Sequence, residues 1–145
     1  MVARITTVAF QGTEARRVDV QVQVTSGGKQ IFNVVGLADK SVSEARDRVR
    51  AAFVSLGLHL PGKRITINLA PADLPKEGAH YDLPIAIGLL AAIGAIPADA
   101  VEGFAAIGEL SLDGTICAVP GALPAVRAAA PGTGHKLRTL CRAAP

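Results

Sequence analysis

Alternating apolar and polar residues identify the first third of the chain as sheet. Valine occupies every second position across Val18–Val24, within a strand that we predict at Ala15–Thr25. A period of two gives a strand one buried face and one exposed face. Flanking strands are predicted at Arg4–Phe10 and Gln30–Val35. The glycine-containing turn Ser26–Lys29 predicts that the three strands form an antiparallel meander.

Helical spacing replaces this alternation after residue 40. Apolar residues recurring every three or four positions predict one helix from Ser41 to Leu56, ended by Gly57. Ser41 and Glu44 have the spacing of a capping box, in which each side chain bonds the backbone of the other. A second helix, at about Leu83–Ile93, is apolar almost all round and is therefore predicted to be buried.

The remaining pattern completes a two-layer domain. It predicts the strand Arg64–Leu69, a long polar loop at Ala70–Asp82, the strands Phe104–Leu110 and Thr115–Val119 joined across Asp113-Gly114, a helix at Gly121–Ala130 and a short strand within Gly132–Leu140. This order favours an α/β (α+β two-layer) fold, a mixed β-sheet with helices on one face. We expect one domain at residues 1–130, followed by an irregular tail at 131–145.

Composition narrows the class of protein. The 145 residues suit a single domain, and with four Phe, one Tyr and no Trp its core must be built from small aliphatic residues. The apolar run Leu83–Ile96 is shorter than the ~20 residues that span a bilayer, and the N-terminus has no signal-peptide pattern. We therefore expect a cytoplasmic protein without a membrane partner, with Cys117 and Cys141 as reduced thiols.

Motifs for phosphate and metal binding are weak. Ser26–Lys29 lacks the first glycine and the final Ser or Thr of a phosphate-binding loop, and it falls in a predicted hairpin. His80 stands near several carboxylates, but the chain has no Cys/His spacing typical of a metal site. The structural interpretation is favoured, with Asp82 as the N-cap of the second helix and Pro84 in its first turn.

The polar loop is a candidate partner-contact segment. Its polar members are Asp73, Lys76, Glu77, His80 and Asp82. Its prolines restrict its conformations, and ordered loops of this length are often functional. The alternative, a well-ordered connection without a partner, stays open.

Basic residues form a second candidate surface. Arg46 and Arg50 are four apart and share a helix face, while Glu44 has the spacing to pair with Arg48. The candidate DNA-facing residues are Arg46, Arg50, Lys63 and Arg64, with Arg16 and Arg17 adjoining. The net charge of +3 is mild, and no aromatic residues interleave to stack bases. A solvated helix face is the alternative.

Three regions together resemble a known family. They are Asn33–Ala38 with Glu44–Ala52, Arg64–Gly78 with Tyr81–Ala86, and Gly108–Gly114. Over about residues 1–130 the chain resembles the N-terminal domain of the magnesium-chelatase-like, ComM/YifB-type and ChlI-related AAA ATPases. The second region is long and idiosyncratic, so chance explains it poorly.

The resemblance implies a fold like the second domain of the small-subunit ribosomal protein S-five, shared with the Lon protease domain. It also implies a non-catalytic accessory domain that helps to assemble an ATPase ring or guides DNA in recombination and natural transformation. The implied partners are the AAA motor of its own full-length chain, further copies in a homo-hexamer, and DNA. The implied ATP and Mg²⁺ belong to that motor, beyond residue 145, so no cofactor is expected here.

Two alternatives remain. A Lon-like peptidase would need a Ser nucleophile near Ala79 or His80 and a Lys base in the helix that starts at Gly121–Pro124, and neither residue type is present there. A stand-alone nucleic-acid-binding module would reveal itself by steeply salt-dependent DNA binding.

Overall fold

The computed structural model describes residues 2–58, 60, 63–101, 103–120 and 138–141. The strands are β1 (Val2–Gln11), β2 (Glu14–Ser26), β3 (Ile31–Val35), β4 (Lys63–Ala70), β5 (Phe104–Ile107), β6 (Glu109–Leu110), β7 (Ile116–Cys117) and β8 (Arg138–Cys141). The helices are α1 (Lys40–Ser43), α2 (Ala45–Ser55) and α3 (Asp82–Ala92), with 3₁₀ turns at Ala79–Tyr81 and Ala98–Val101. The predicted strands of the first half and the buried second helix are confirmed to within a few residues.

Six strands form one mixed sheet in the order β3-β4-β2-β1-β5-β8. β2 runs antiparallel to both of its neighbours, β1 and β4. The pairs β3–β4, β1–β5 and β5–β8 are parallel. β6 and β7 form a separate antiparallel hairpin. The predicted fold class, a mixed sheet in an α+β domain, is confirmed.

The predicted meander is wrong, because β4 lies between β2 and β3. β4 pairs with β2 over eight residues, from Asp19↔Ala70 to Ser26↔Lys63, and with β3 over five. The turn after β2 does reverse the chain direction. Local alternation shows which face of a strand is buried, but it does not show which strand lies beside it.

The core lies between one face of the sheet and the helices. The buried residues of β2 and β4 on this face are Val18, Val20, Val22, Ile65, Ile67 and Leu69. α3 packs directly on β1 and β2. A Cβ at Gly88 would lie 2.7 Å from Val22 Cγ2, so this glycine permits the close approach of helix and sheet. The helices thus cover one face of the sheet, as predicted.

The first predicted helix is divided at Glu44 into α1 and α2, and the predicted capping box is wrong. Asp39 is the N-cap of α1, and its Oδ1 accepts from the Val42 amide at 2.9 Å. The Ser41 hydroxyl instead donates to Asp39 Oδ1 and accepts from the Gly78 amide. The aspartate thus takes the capping role, while the serine connects two loops. The predicted end at Gly57 is confirmed, since α2 stops at Ser55 and Gly57 has φ +74°.

The single strand predicted at Phe104–Leu110 is interrupted at Gly108. The Gly108 amide donates to His80 O, and the Gly108 carbonyl accepts from the Leu83 amide, both at 3.0 Å. These bonds join the start of α3 to the end of β5, so the chain leaves the main sheet here. The predicted hairpin across Asp113-Gly114 is confirmed as β6–β7.

The expectations for the C-terminal part are covered only in part by the described residues. The helix predicted at Gly121–Ala130 lies outside them. β8 agrees with the short strand predicted within Gly132–Leu140, and it pairs with β5. The main sheet therefore extends past residue 130, into the segment that we assigned to an irregular tail.

Gly36 should be the least replaceable of the turn glycines. Its φ is +110°, and an added Cβ would lie 2.2 Å from the Leu69 carbonyl oxygen. We expect Gly36→Ala to lower the free energy of unfolding by about 3 kcal/mol, because backbone strain and overlap add together. Chemical denaturation measures it. Gly57→Ala is the control: it also has positive φ but open space, so it should cost about 1 kcal/mol. Equal losses would contradict the role of the close contact.

Candidate functional site

The polar loop after β4 is attached to the segment after β3 by backbone bonds. The Lys76 amide donates to Leu37 O at 3.2 Å, and Lys76 O accepts from the Asp39 amide at 3.1 Å. The resulting bridge pairs Ala38 with Lys76 in parallel. The Gly78 amide adds its bond to Ser41 Oγ at 3.0 Å. The loop therefore has one fixed course across the N-terminal end of α1.

The Lys76 side chain points into the domain. It is fully buried, and its ammonium group donates to the Pro71 carbonyl within the same loop. Burial lowers the pKa of Lys76, and the nearby Asp73 carboxylate opposes this effect. A buried ammonium group bonded to its own loop braces that loop.

Asp82 is a buried ion-pair partner, so the predicted N-cap role is wrong. It is the first residue of α3, and its carboxylate makes no capping bond. Arg48 donates to it twice, from Nε to Oδ2 at 2.6 Å and from Nη2 to Oδ1 at 3.0 Å. The Leu110 amide also donates to Oδ2 at 3.0 Å. The carboxylate therefore connects the start of α3 to α2 and β6.

Arg48 is the centre of this polar cluster. The hydrogen bonding that Arg48 donates to Asp82 is the largest reason that the pKa of Arg48 is raised. Arg48 Nη1 also lies 3.4 Å from Glu44 Oε2, which confirms the pairing predicted from their spacing. Nη2 donates further to Ser41 O at 3.1 Å. Sequence reasoning missed the more important partner, because Asp82 is 34 residues away.

His80 is bonded to β1. Its Nε2 donates to Val8 O at 2.7 Å, since a carbonyl oxygen can only accept. The ring packs against Phe10 and Tyr81, with centroids 4.8 and 4.2 Å away. Burial lowers the pKa of His80, so the neutral imidazole is favoured. Within the described ranges, no three His, Cys, Asp or Glu side chains gather into a set that could hold a metal ion.

An open groove of about 390 Å³ borders the loop. Phe10, Val119 and Pro120 supply apolar walls, and the segment from Glu77 to His80 forms one side. Glu77 and Glu109 place two carboxylates at this groove, which we call the acidic groove. Of the five loop residues singled out from the sequence, Asp73 and Glu77 are exposed and the other three are buried.

The basic candidates do not form one surface. Arg46 and Arg50 are exposed on α2, where the Arg50 guanidinium lies 5.7 Å from the centre of the Phe32 ring. Arg64 pairs across the sheet with Thr25 and Ile31. Strand alternation directs it to the face opposite the helices, because its neighbour Ile65 belongs to the core. Lys63 begins β4 and is half-buried.

A polar face on the far side of the sheet was missed by sequence reasoning. Its members on β1, β2 and β4 are Arg4, Thr6, Arg17, Asp19, Gln21, Gln23, Arg64, Thr66 and Asn68. A row of bonds crosses it: Asn68 Nδ2 donates to Gln21 Oε1 at 3.1 Å, and Gln21 Nε2 to Asp19 Oδ2 at 2.8 Å. Arg4 lies 3.6 Å from the same aspartate. The polar positions between the β2 valines were the available signal, but the β2–β4 pairing was needed to assemble the face.

Most of the chain is similar to known proteins. A family model described as "Subunit ChlI of Mg-chelatase" matches residues 20–138. The chain is 49% identical to Competence protein ComM of Haemophilus influenzae over 121 residues, which are 83% of this chain and 24% of that protein. It is 49% identical to the uncharacterized protein YifB of Escherichia coli over 117 residues, 81% of this chain and 23% of YifB. An uncharacterized protein of Mycobacterium tuberculosis is 42% identical over 126 residues, 87% of this chain and 25% of its own length.

These matches define the class of protein. The chain belongs to the Mg-chelatase ChlI-subunit family. Within that family it is of the ComM and YifB type. It spans about a quarter of the length of the curated relatives that it matches. None of the helices in the described part of the chain has the length and apolarity needed to cross a bilayer.

The two carboxylate partners of Arg48 should differ sharply in their effect on stability. Asp82→Ala should lower the free energy of unfolding by about 3 kcal/mol or more, because it leaves Arg48 and the Leu110 amide without their buried acceptor. Glu44→Ala removes the more exposed partner of the same arginine and should cost less than about 1 kcal/mol. Urea unfolding of the two variants measures the difference. Similar losses would show that the buried pair is not a main support of the fold.

Proposed function

We propose that this chain is a non-catalytic accessory domain of a ComM-type, Mg-chelatase-like AAA ATPase, which supports assembly of the ATPase ring and guides DNA to it. ATP and Mg²⁺ would bind to the motor of the full-length protein. The relative named for competence supports a role in natural transformation and recombination. The chain matches only about a quarter of that relative, which leaves ample length for a motor.

The proposal that the domain is non-catalytic rests on one observation: three of its buried polar side chains are hydrogen-bonded to other groups of the domain. Lys76 bonds Pro71 O, His80 bonds Val8 O, and Asp82 bonds Arg48 and the Leu110 amide. A general acid, general base or nucleophile must reach a substrate atom. His80 and Asp82 instead each join one element of the scaffold to another, and Lys76 braces its own loop. This arrangement supports a rigid domain that presents surfaces.

The peptidase alternative finds little support in the same region. Ala79 has no reactive group, and the imidazole of His80 donates to a backbone carbonyl in the interior. The position expected for the base, near Leu123, lies outside the described residues.

DNA guidance is favoured by the polar sheet face defined above. Amide and hydroxyl side chains cover it, and it has three arginines, Arg4, Arg17 and Arg64, against one aspartate. The aspartate is already paired with Arg4 and Gln21. Arginines contact phosphates, and flexible polar side chains tolerate any base sequence. Arg46 and Arg50 lie on the opposite side of the sheet, so they would not contact a DNA strand bound to this face.

The accessory role can be tested in a full-length relative. In ComM of Haemophilus influenzae, the matching segment is deleted or replaced with this chain. We expect deletion to abolish ring assembly, measured by light scattering, and DNA-stimulated ATP hydrolysis, while the chimera keeps both. Residual unstimulated hydrolysis in the deletion variant is the control for a folded motor. If deletion leaves assembly and DNA stimulation unchanged, the domain has no accessory role.

DNA binding by the sheet face can be tested on this chain with fluorescence anisotropy. Forked and single-stranded DNA are titrated at several salt concentrations. Arg17→Glu and Arg64→Glu should each weaken binding about tenfold and lower the salt slope by about one, because each removes a phosphate contact. Arg46→Glu, an equal change of charge on α2, should have little effect. Absence of binding at low salt, or equal effects of all three changes, would contradict this assignment.

A further inference from the structure

An apolar patch is exposed where α2 ends. Val54, Leu56 and Leu112 are 72%, 61% and 63% exposed. Ser55 Oγ donates to Leu112 O at 2.8 Å, which joins the end of the helix to the β6–β7 loop. A Cβ at Gly114 would lie 3.1 Å from the Leu56 side chain, so Leu56 lies against the same loop. We call these three residues the end patch.

Two arginines extend the end patch along α2. Arg46 and Arg50 precede Val54 by eight and four residues, so all three follow one stripe of the helix. Both arginines are exposed, and neither forms an ion pair with another described residue. Exposed leucine and valine side chains do not make favourable contacts with the phosphate backbone of a nucleic acid. The combination of apolar and cationic side chains is typical of a surface that contacts protein.

The acidic groove has the complementary character. Phe10, Val119 and Pro120 line it with apolar surface, and Glu77 and Glu109 provide negative charge. Glu77 is exposed and makes no ion pair within the described part of the chain. The groove volume of about 390 Å³ is ample for several side chains. The same chain therefore carries a cationic apolar projection and an anionic apolar recess.

We propose that the end patch of one copy of this chain binds in the acidic groove of a second copy, with Arg46 and Arg50 facing Glu77 and Glu109. The contact uses two different surfaces, so each bound copy keeps an end patch and a groove for further copies. Such heterologous contacts build rings when the rotation closes. The inference deepens the ring-assembly part of the proposed function and rests on it for its role in the cell, whereas the contact itself belongs to this chain alone.

Charge reversal across the contact tests it. Sedimentation velocity over a range of concentrations should show self-association of the chain that weakens with salt. Arg50→Glu and Glu77→Arg should each weaken self-association about tenfold or more, because like charges then face each other. An equimolar mixture of the two variants should recover association, since both contacts between unlike variants again pair opposite charges. Lys29→Glu and Asp99→Arg are the matched controls, exposed charges outside both surfaces, and should associate like the unchanged chain.

Three results would overturn the proposal: a monomer at every concentration, loss of association in the control variants as well, or a mixture that stays monomeric. Circular dichroism of each variant confirms that it is folded. Because these measurements use this chain alone, they are independent of the motor. Self-association without any effect of the domain in the full-length relative would refute the accessory role while keeping the contact.

Discussion

The domain depends on one buried charge, the carboxylate of Asp82. Taking a carboxylate out of water costs several kcal/mol, and only good geometry with further hydrogen bonds offsets that cost. Here Arg48 supplies two donors and the Leu110 amide a third. Since the three groups belong to α3, α2 and β6, the carboxylate can be satisfied only when all three elements are in place. The interaction contributes less as a favourable contact than as a constraint on which arrangement of the elements is stable.

Backbone contacts near this ion pair likewise constrain the polar loop to one arrangement. Lys76 joins it to the segment after β3 through two backbone bonds, and its ammonium group bonds the loop itself. Gly36 allows that segment to pass directly against Leu69. Of the loop residues that the sequence suggested as a contact surface, Lys76, His80 and Asp82 are instead bonded inside the domain. A long polar loop can thus be ordered mainly by backbone geometry, with Asp73 and Glu77 left exposed.

The features that sequence reasoning predicted are those determined within a few residues. The valines of β2 and the apolar character of α3 are local, and both elements were placed correctly. The errors arose where two neighbouring residues could fill the same capping role, or where a residue far away in the sequence determined the hydrogen-bond partner. Asp39 and Ser41 are equally good caps by type, and only the position of Gly78 shows that the serine is engaged elsewhere. Asp82 is a residue type that often serves as an N-cap, but its carboxylate bonds an arginine 34 residues away instead.

The same limit applies to the candidate surfaces. The polar face exists only because β4 pairs with β2 in one register, and the end patch only because the β6–β7 loop contacts Ser55. A surface assembled from several elements keeps its shape only if the contacts between those elements are rigid. The Arg48–Asp82 pair joins α2, which carries the end patch, to the start of α3, beside the acidic groove. A domain that must present a projection and a recess at a fixed separation needs such a rigid connection, and this is a reason for a buried ion pair that stability alone does not supply.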